Sequence, residues 1–237
     1  MGIIYAIGGG NFLKEENLHI DKEIISETNK KHPRLLYIPA ASNDRNDAIE
    51  TFKNYFEKLG AIVDILYIKD MKYAKEKFME NDIIYFGGGM SKRLVDIAMR
   101  FNLKEIILSA FQKGKIIAGI SAGAIMLFDY GFGDQYAYNY HDEVKGYRYV
   151  EGLGILKGII VPHYQQKGLI IFHDEVNKYP LNAFALEDMT ALKIAENKVK
   201  VIKKRGQMVI LFNQDKNHLL EPLEEKEYDF KLFKGVD

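Results

Sequence analysis

The chain has 237 residues, of which 47% are hydrophobic and 28% charged, and it contains no cysteine. These proportions are ordinary for a globular fold, and the missing cysteine excludes disulfides, thiolate metal sites and a cysteine nucleophile together. Lys plus Arg and Asp plus Glu number 33 each, so neither a nucleic-acid footprint nor a membrane-surface patch is expected.

The apolar run 2–7 stops at Gly8-Gly9-Gly10-Asn11, which reads as a strand ending in a glycine loop. A helix is predicted over 21–31, stopped by Pro33, and a second strand over 34–39. Ser42, Asn43 and Asp44 offer caps for a helix over 47–59, with Gly60 where a C-terminal glycine belongs. Strands over 62–68 and 82–86 flank a short charged helix over 71–80, and the second of them runs into Gly87-Gly88-Gly89. Ser91 and Asn102 can cap helices that reach Phe101 and Gln112. A buried strand over 115–120 then meets a helix that begins at Ala122.

Alternating strands and helices, with the strands apolar throughout, predict a parallel sheet covered on both faces. Such sheets bind ligands at the carboxyl ends of their strands. The polar stretch 131–154 is rich in tyrosine (Tyr136, Tyr138, Tyr140, Tyr147, Tyr149) and reads as an excursion over the site. A strand over 158–161 leads to Pro162-His163-Tyr164, followed by a helix over 168–179. Short strands at 184–186, 191–194, 198–202 and 208–212 read as antiparallel, and the acidic stretch 221–229 as a solvated face. No repeat or linker divides residues 1–237, so a single domain is expected. With no leader-like start and no span-length apolar run, a cytoplasmic location is expected, with no membrane contact.

Gly119-Ile120-Ser121-Ala122-Gly123 fits the G-x-S-x-G pattern of a nucleophile elbow, in which a strained serine sits between a strand and a helix. Ser121 is the candidate nucleophile, and the N–H of Ala122 can meet a developing oxyanion. Gly88 and Gly89 are candidates for the second donor, because glycine lets the main chain approach a ligand closely. A serine hydroxyl needs a base, and among six histidines His163 follows a buried strand and is best placed. His141 could also reach the pocket, whereas His173 should face solvent. The base needs an acid to hold its tautomer. Asp134 leads on spacing, Glu187 and Asp188 are the alternatives, and Asp129 is set aside as lying inside the elbow helix. No Walker-type loop, dinucleotide fingerprint or metal-ligand spacing is present, so neither a cofactor nor a metal is expected.

These pieces together resemble the S51 peptidases, the family of aspartyl dipeptidase (peptidase E) and cyanophycinase. The matching segments run from Ile4 to about Ile194. They are Ala-Ile-Gly-Gly-Gly, Tyr-Ile-Pro-Ala-Ala-Ser at 37–42, Ile-Tyr-Phe-Gly-Gly-Gly at 84–89, Gly-Ile-Ser-Ala-Gly-Ala at 119–124, Gly-Leu-Gly-Ile-Leu at 152–156 with Pro-His-Tyr at 162–164, and Ala-Leu-Glu-Asp-Met-Thr-Ala-Leu at 185–192. The resemblance implies a three-layer α/β sandwich with a mainly parallel central sheet, like class I glutamine amidotransferases and flavodoxin. It also implies a serine peptidase acting on aspartyl or related short peptides. A small peptide substrate is the expected partner, and a monomer or homodimer the expected assembly. Many relatives follow Pro-His-Tyr with an acidic residue, whereas Gln165 and Gln166 stand here. Two competing readings are a non-catalytic small-molecule-binding relative and an esterase. The second lacks its usual His-Gly oxyanion motif and long serine-to-histidine gap.

Overall fold

The computed structural model describes residues 1–134, 147–165, 172–196 and 198–232. The elements in chain order are β1 (Ile3–Ile7), α1 (Leu18–Ser26), β2 (Arg34–Ile38), α2 (Asn46–Lys58), β3 (Ile62–Ile65), α3 (Ala74–Glu80), β4 (Ile83–Phe86), α4 (Ser91–Arg100), α5 (Leu103–Gln112), β5 (Ile116–Ile120) and α6 (Ala122–Leu127). Then follow β6 (Phe128–Asp134), β7 (Tyr147–Glu151), β8 (Leu156–Val161), α7 (Phe172–Glu175), β9 (Ala183–Leu186), β10 (Ala191–Ala195), β11 (Lys198–Ile202), β12 (Val209–Asn213), β13 (Leu219–Pro222) and β14 (Glu227–Tyr228). The middle of the expected tyrosine-rich excursion, including Tyr136, Tyr138, Tyr140 and His141, lies outside the described residues, as does Gln166.

An eight-stranded sheet has the order β14-β11-β10-β1-β5-β4-β2-β3. Within it β1, β5, β4, β2 and β3 run parallel. The strands β10, β11 and β14 pair antiparallel on the far side of β1. A second, six-stranded sheet has the order β13-β12-β9-β8-β6-β7. There β8 is parallel to both β6 and β9, while the remaining pairs are antiparallel. The expected mainly parallel sheet is therefore corrected to two mixed ones. The cause is connection length. Helical crossovers between the early strands allow parallel pairing, whereas the short connection between β10 and β11 can only reverse the chain.

Alternation along the central strands sends side chains to two covered faces. Ile4, Ala6, Leu36, Ile38, Ile84, Phe86 and Ile117 pack with residues of α3, α4, α5 and α6. Tyr5, Ile7, Leu35, Tyr37, Ile83, Tyr85 and Ala118 pack with Ile20 and Ile24 of α1 and with Ile49, Phe52, Tyr55 and Phe56 of α2. The α2 residues recur at helical spacing along one stripe, and each fully buried aromatic among them contributes about 2 kcal/mol of transfer free energy. One face of the second sheet joins the first cluster through Leu156, Ile160, Phe184 and Leu211. Its other face, with Phe132, Ile159, Val161 and Phe212, is covered by Phe172 of α7.

Two local expectations are revised. Ser42, Asn43 and Asp44 do not cap α2. Arg45 precedes that helix, Asn43 and Asp44 are both left-handed, and the Asp44 carboxylate accepts the Ile68 N–H at 2.8 Å. The elbow helix also ends early, at Leu127, so Asp129 lies in β6 rather than in a helix. Glycine makes the doubling-back feasible, since a Cβ at Gly131 would lie 2.5 Å from the Ile125 side chain and one at Gly133 2.7 Å from it.

Candidate active site

Ser121 leaves the end of β5 with φ +54° and ψ −111°, a left-handed strain that a non-glycine residue adopts only where its surroundings hold it. Ala122 begins α6 immediately after it, so the Ala122 N–H has no intrahelical acceptor. Close approach explains the small neighbours. A Cβ at Gly119 would lie 2.4 Å from the Gly123 carbonyl oxygen, and a Cβ at Gly123 2.3 Å from the Phe86 carbonyl oxygen. The strand ends β4 and β5 are thus pressed against the start of α6. That brings Gly88 alongside the serine, where a Cβ would be 3.5 Å from Ser121 Cβ. Gly89, at φ +140°, closes the loop against the backbone of Ala41.

His163 follows β8 and also has positive φ, +56°. Its Nε2 lies 2.9 Å from Ser121 Oγ, and its Nδ1 lies 2.6 Å from Asp188 Oδ1. A carboxylate at Nδ1 fixes the neutral tautomer: Nδ1–H donates to Asp188, leaving Nε2 to accept from the serine hydroxyl. The two side chains are 30% and 29% exposed, shielded enough to keep the pair ordered yet open to the cleft. Asp188 sits in the loop between β9 and β10. Its neighbour Glu187 is engaged elsewhere, with its carboxylate accepting the Met208 N–H at 2.8 Å. Asp134 closes β6, paired with Tyr147 of β7. The carboxylate on the imidazole is that of Asp188.

Three consecutive carbonyls at the end of β1 hold the three segments together. Ile7 O accepts Ser121 N–H at 3.0 Å, Gly8 O accepts His163 N–H at 3.2 Å, and Gly9 O accepts Met189 N–H at 3.0 Å. A Cβ on Gly9 would fall 1.9 Å from Asp188 Oδ1 and 2.4 Å from His163 Nδ1. The first glycine loop, legible in the sequence as a strand-end loop, thus packs directly against the imidazole–carboxylate pair. His19 supports the same region, with Nε2–H donating to Met189 O at 3.1 Å, and burial holds its imidazole below the usual range. No sequence signal singled it out. His173, expected to face solvent, is exposed and also meets the Tyr164 hydroxyl at 2.5 Å.

A cleft of about 370 Å³ opens in front of Ser121 and His163, walled by Gly10, Phe12, Leu13, Tyr37, Gly88 and Gly89. Arg45 and Asp47 also line it, and neither stood out in the sequence. The Arg45 guanidinium donates to both Asp47 oxygens, at 2.8 and 2.7 Å, and holds that carboxyl below its ordinary value. Among the described residues no group of three or more His, Asp or Glu side chains could hold a metal, and no helix is long and apolar enough to cross a membrane.

A serine on a strand–helix elbow, in line with an imidazole and a carboxylate, is the arrangement by which serine hydrolases activate a hydroxyl. The comparisons with known proteins narrow the class. The model of peptidase family S51 matches residues 4–202, and the chain belongs to that family, whose members are serine-type hydrolases of peptide bonds. The chain is 32% identical over 195 residues to the uncharacterized peptidase YgaJ of Bacillus subtilis strain 168, covering 80% of this chain and 81% of that one. A crystal structure of a peptidase from an acI-B1 Actinobacterium matches with a TM-score of 0.74 at 21% identity, over 97% of each chain. A candidate peptidase E of Listeria monocytogenes EGD-e matches with a TM-score of 0.65 at 21% identity, over 86% of this chain and 99% of that one. At these identities the two structures speak for the shared α/β fold.

Proposed function

We propose that residues 1–237 form one catalytic domain that hydrolyses dipeptides or other short peptides of the aspartyl type, with Ser121 as nucleophile, His163 as base and Asp188 as acid. Asp188 takes the role for which spacing favoured Asp134. The observation that carries this reading is the unbroken line of hydrogen bonds from Ser121 Oγ through His163 to Asp188 Oδ1, at 2.9 and 2.6 Å.

In the proposed reaction His163 Nε2 takes the Ser121 proton as Oγ attacks the scissile carbonyl. Asp188 stabilises the imidazolium that forms. The Ala122 N–H and the Gly88–Gly89 main chain face the oxyanion, each such donor contributing about 3 kcal/mol to the barrier reduction. His163 then protonates the leaving amine, and water, deprotonated by the same imidazole, releases the acyl group. A cleft of about 370 Å³ suits a small peptide, being near the lower end of small-ligand pockets.

The test is mass spectrometry after fluorophosphonate treatment, alongside hydrolysis of a panel of Asp-X, β-aspartyl and neutral dipeptides. An adduct on Ser121 with preferential cleavage of aspartyl members is expected. Folded protein that takes no adduct would leave a binding protein in place of an enzyme. Cleavage of neutral members alone would remove the aspartyl assignment.

A further inference from the structure

The loop that carries Asp188 is held at nearly every backbone position. Glu187 N–H donates to Met208 O at 3.2 Å, and Met189 N–H donates to Gly9 O at 3.0 Å. Met189 O accepts from His19, and Thr190 O accepts the Gly8 N–H at 2.9 Å. The N–H of Asp188 itself goes to a side chain: it donates to Gln165 Oε1 at 3.0 Å. Gln165 stands two residues after His163 in the same turn. Acid and base are therefore tied twice, once through carboxylate and imidazole and once through the Asp188 amide and the Gln165 carboxamide. The second tie matters because Met189, directly after the acid, is left-handed at φ +62°, so the loop turns sharply there and the carboxylate's reach depends on how the amide before it is pinned.

We infer that Gln165 is a positioning residue that sets the Asp188 carboxylate against His163 while adding no charge to the pair. This rests on the reading of Ser121, His163 and Asp188 given above. The chemistry of the side chain is specific. A carboxamide oxygen accepts the amide as a carboxylate would, but leaves Asp188 the sole anion on the imidazole. A glutamate here would keep the hydrogen bond and place a second negative charge beside the pair, which favours imidazolium. The other titratable or charged groups around the base are Glu187 on the same loop, Tyr164 and His173 beside it, His19 behind Met189, and Arg45 and Asp47 across the cleft. A change at 165 leaves all of them in place. Gln165 is exposed, so removing its hydrogen bond leaves no buried amide unpaired and costs little stability.

The experiment measures the rate of fluorophosphonate labelling of Ser121 against pH, which needs no knowledge of the natural substrate, in wild type, Gln165→Leu, Gln165→Asn and Gln165→Glu. The leucine variant and the asparagine variant, one methylene too short to reach, should label about tenfold more slowly with unchanged melting temperature, the scale expected for slight misplacement of a catalytic group. Gln165→Glu should keep its rate within about threefold on the alkaline side, with the acidic limb of its profile moved to higher pH. Wild-type labelling and pH profile in Gln165→Leu would overturn the inference, as would equal slowing in Gln165→Glu and Gln165→Leu. Proton NMR of the His163 Nδ1–H adds a readout that requires no reaction. Should wild type fail to label, the functional reading falls. The resonance still decides the tie: displaced or broadened in Gln165→Leu if Gln165 positions Asp188, unchanged if it does not.

Discussion

Ser121 and His163 share a backbone conformation that side chains avoid, with φ at +54° and +56°. Such residues each cost on the order of 1–3 kcal/mol, and here both are held through their N–H groups by adjacent carbonyls of the β1 end. The strain makes a prediction with two signs. Ser121→Gly should lose activity by on the order of 10⁶-fold while gaining about 1 kcal/mol of stability in denaturant titration. A glycine variant no more stable than wild type would mean that the elbow is unstrained. Asp188→Asn should lower kcat by about 10⁴-fold, because an amide can no longer hold the Nδ1–H tautomer. Asp134→Asn should stay within about threefold, because the carboxylate on His163 is that of Asp188. Steady-state kinetics of the two asparagine variants separate the candidate acids. Gly9→Ala must displace a carboxylate oxygen that its Cβ would approach to 1.9 Å, and a loss of about 100-fold in kcat, with little change in KM, is expected.

At the scale of elements, the elbow is a three-body contact among β4, β5 and α6, and its two outer glycines are where the backbones touch. Gly123→Ala would place its Cβ 2.3 Å from the Phe86 carbonyl and should destabilise by about 2 kcal/mol, read as a fall in the denaturation midpoint. This contact was legible in the sequence because G-x-S-x-G encodes it locally. The glycine loops at 8–10 and 87–89, the strand before His163 and the four short C-terminal strands were legible for the same reason. The strand β6 was not. Residues 131–134 read as the start of a polar excursion rather than a strand, and the two glycines of β6 take their meaning from Ile125 beneath them. Nor could spacing choose the acid. Asp188 reaches His163 because β9 lies parallel to β8 while β10 lies antiparallel to β1, which delivers the intervening loop to the end of both sheets. That is a property of strand order, and nothing near residue 188 announces it.

At the scale of the molecule, a carboxylic acid lies in the core away from the cleft. Asp21 of α1 is fully buried, and Tyr55 of α2 donates its O–H to Asp21 Oδ2 at 2.9 Å. Burial raises this carboxyl to about 7. The folded protein therefore binds a proton that the unfolded chain has already released above about pH 4. The stability this proton supplies is fully present below about pH 4 and is lost as pH rises through about 7, a change of up to about 4 kcal/mol. Urea denaturation of wild type and Asp21→Asn at pH 5 and pH 8 should show the difference between them shrinking or reversing at the higher pH. Parallel behaviour of the two proteins would show that Asp21 is ionised throughout.

The first strand of this sequence waits for a partner from far along the chain. β1 lies between β5 and β10, and its terminal carbonyls anchor segments near residues 121, 163 and 189. A chain growing from its amino end has long exposed that strand before either neighbour exists, and contacts so distant in sequence form late. On this topology a nascent chain lacks a gathered serine, imidazole and carboxylate until residues 191–195 have left the ribosome. The three side chains therefore come together only once residues 191–195 have joined β1, and a chain that stops short of that segment lacks the assembled site.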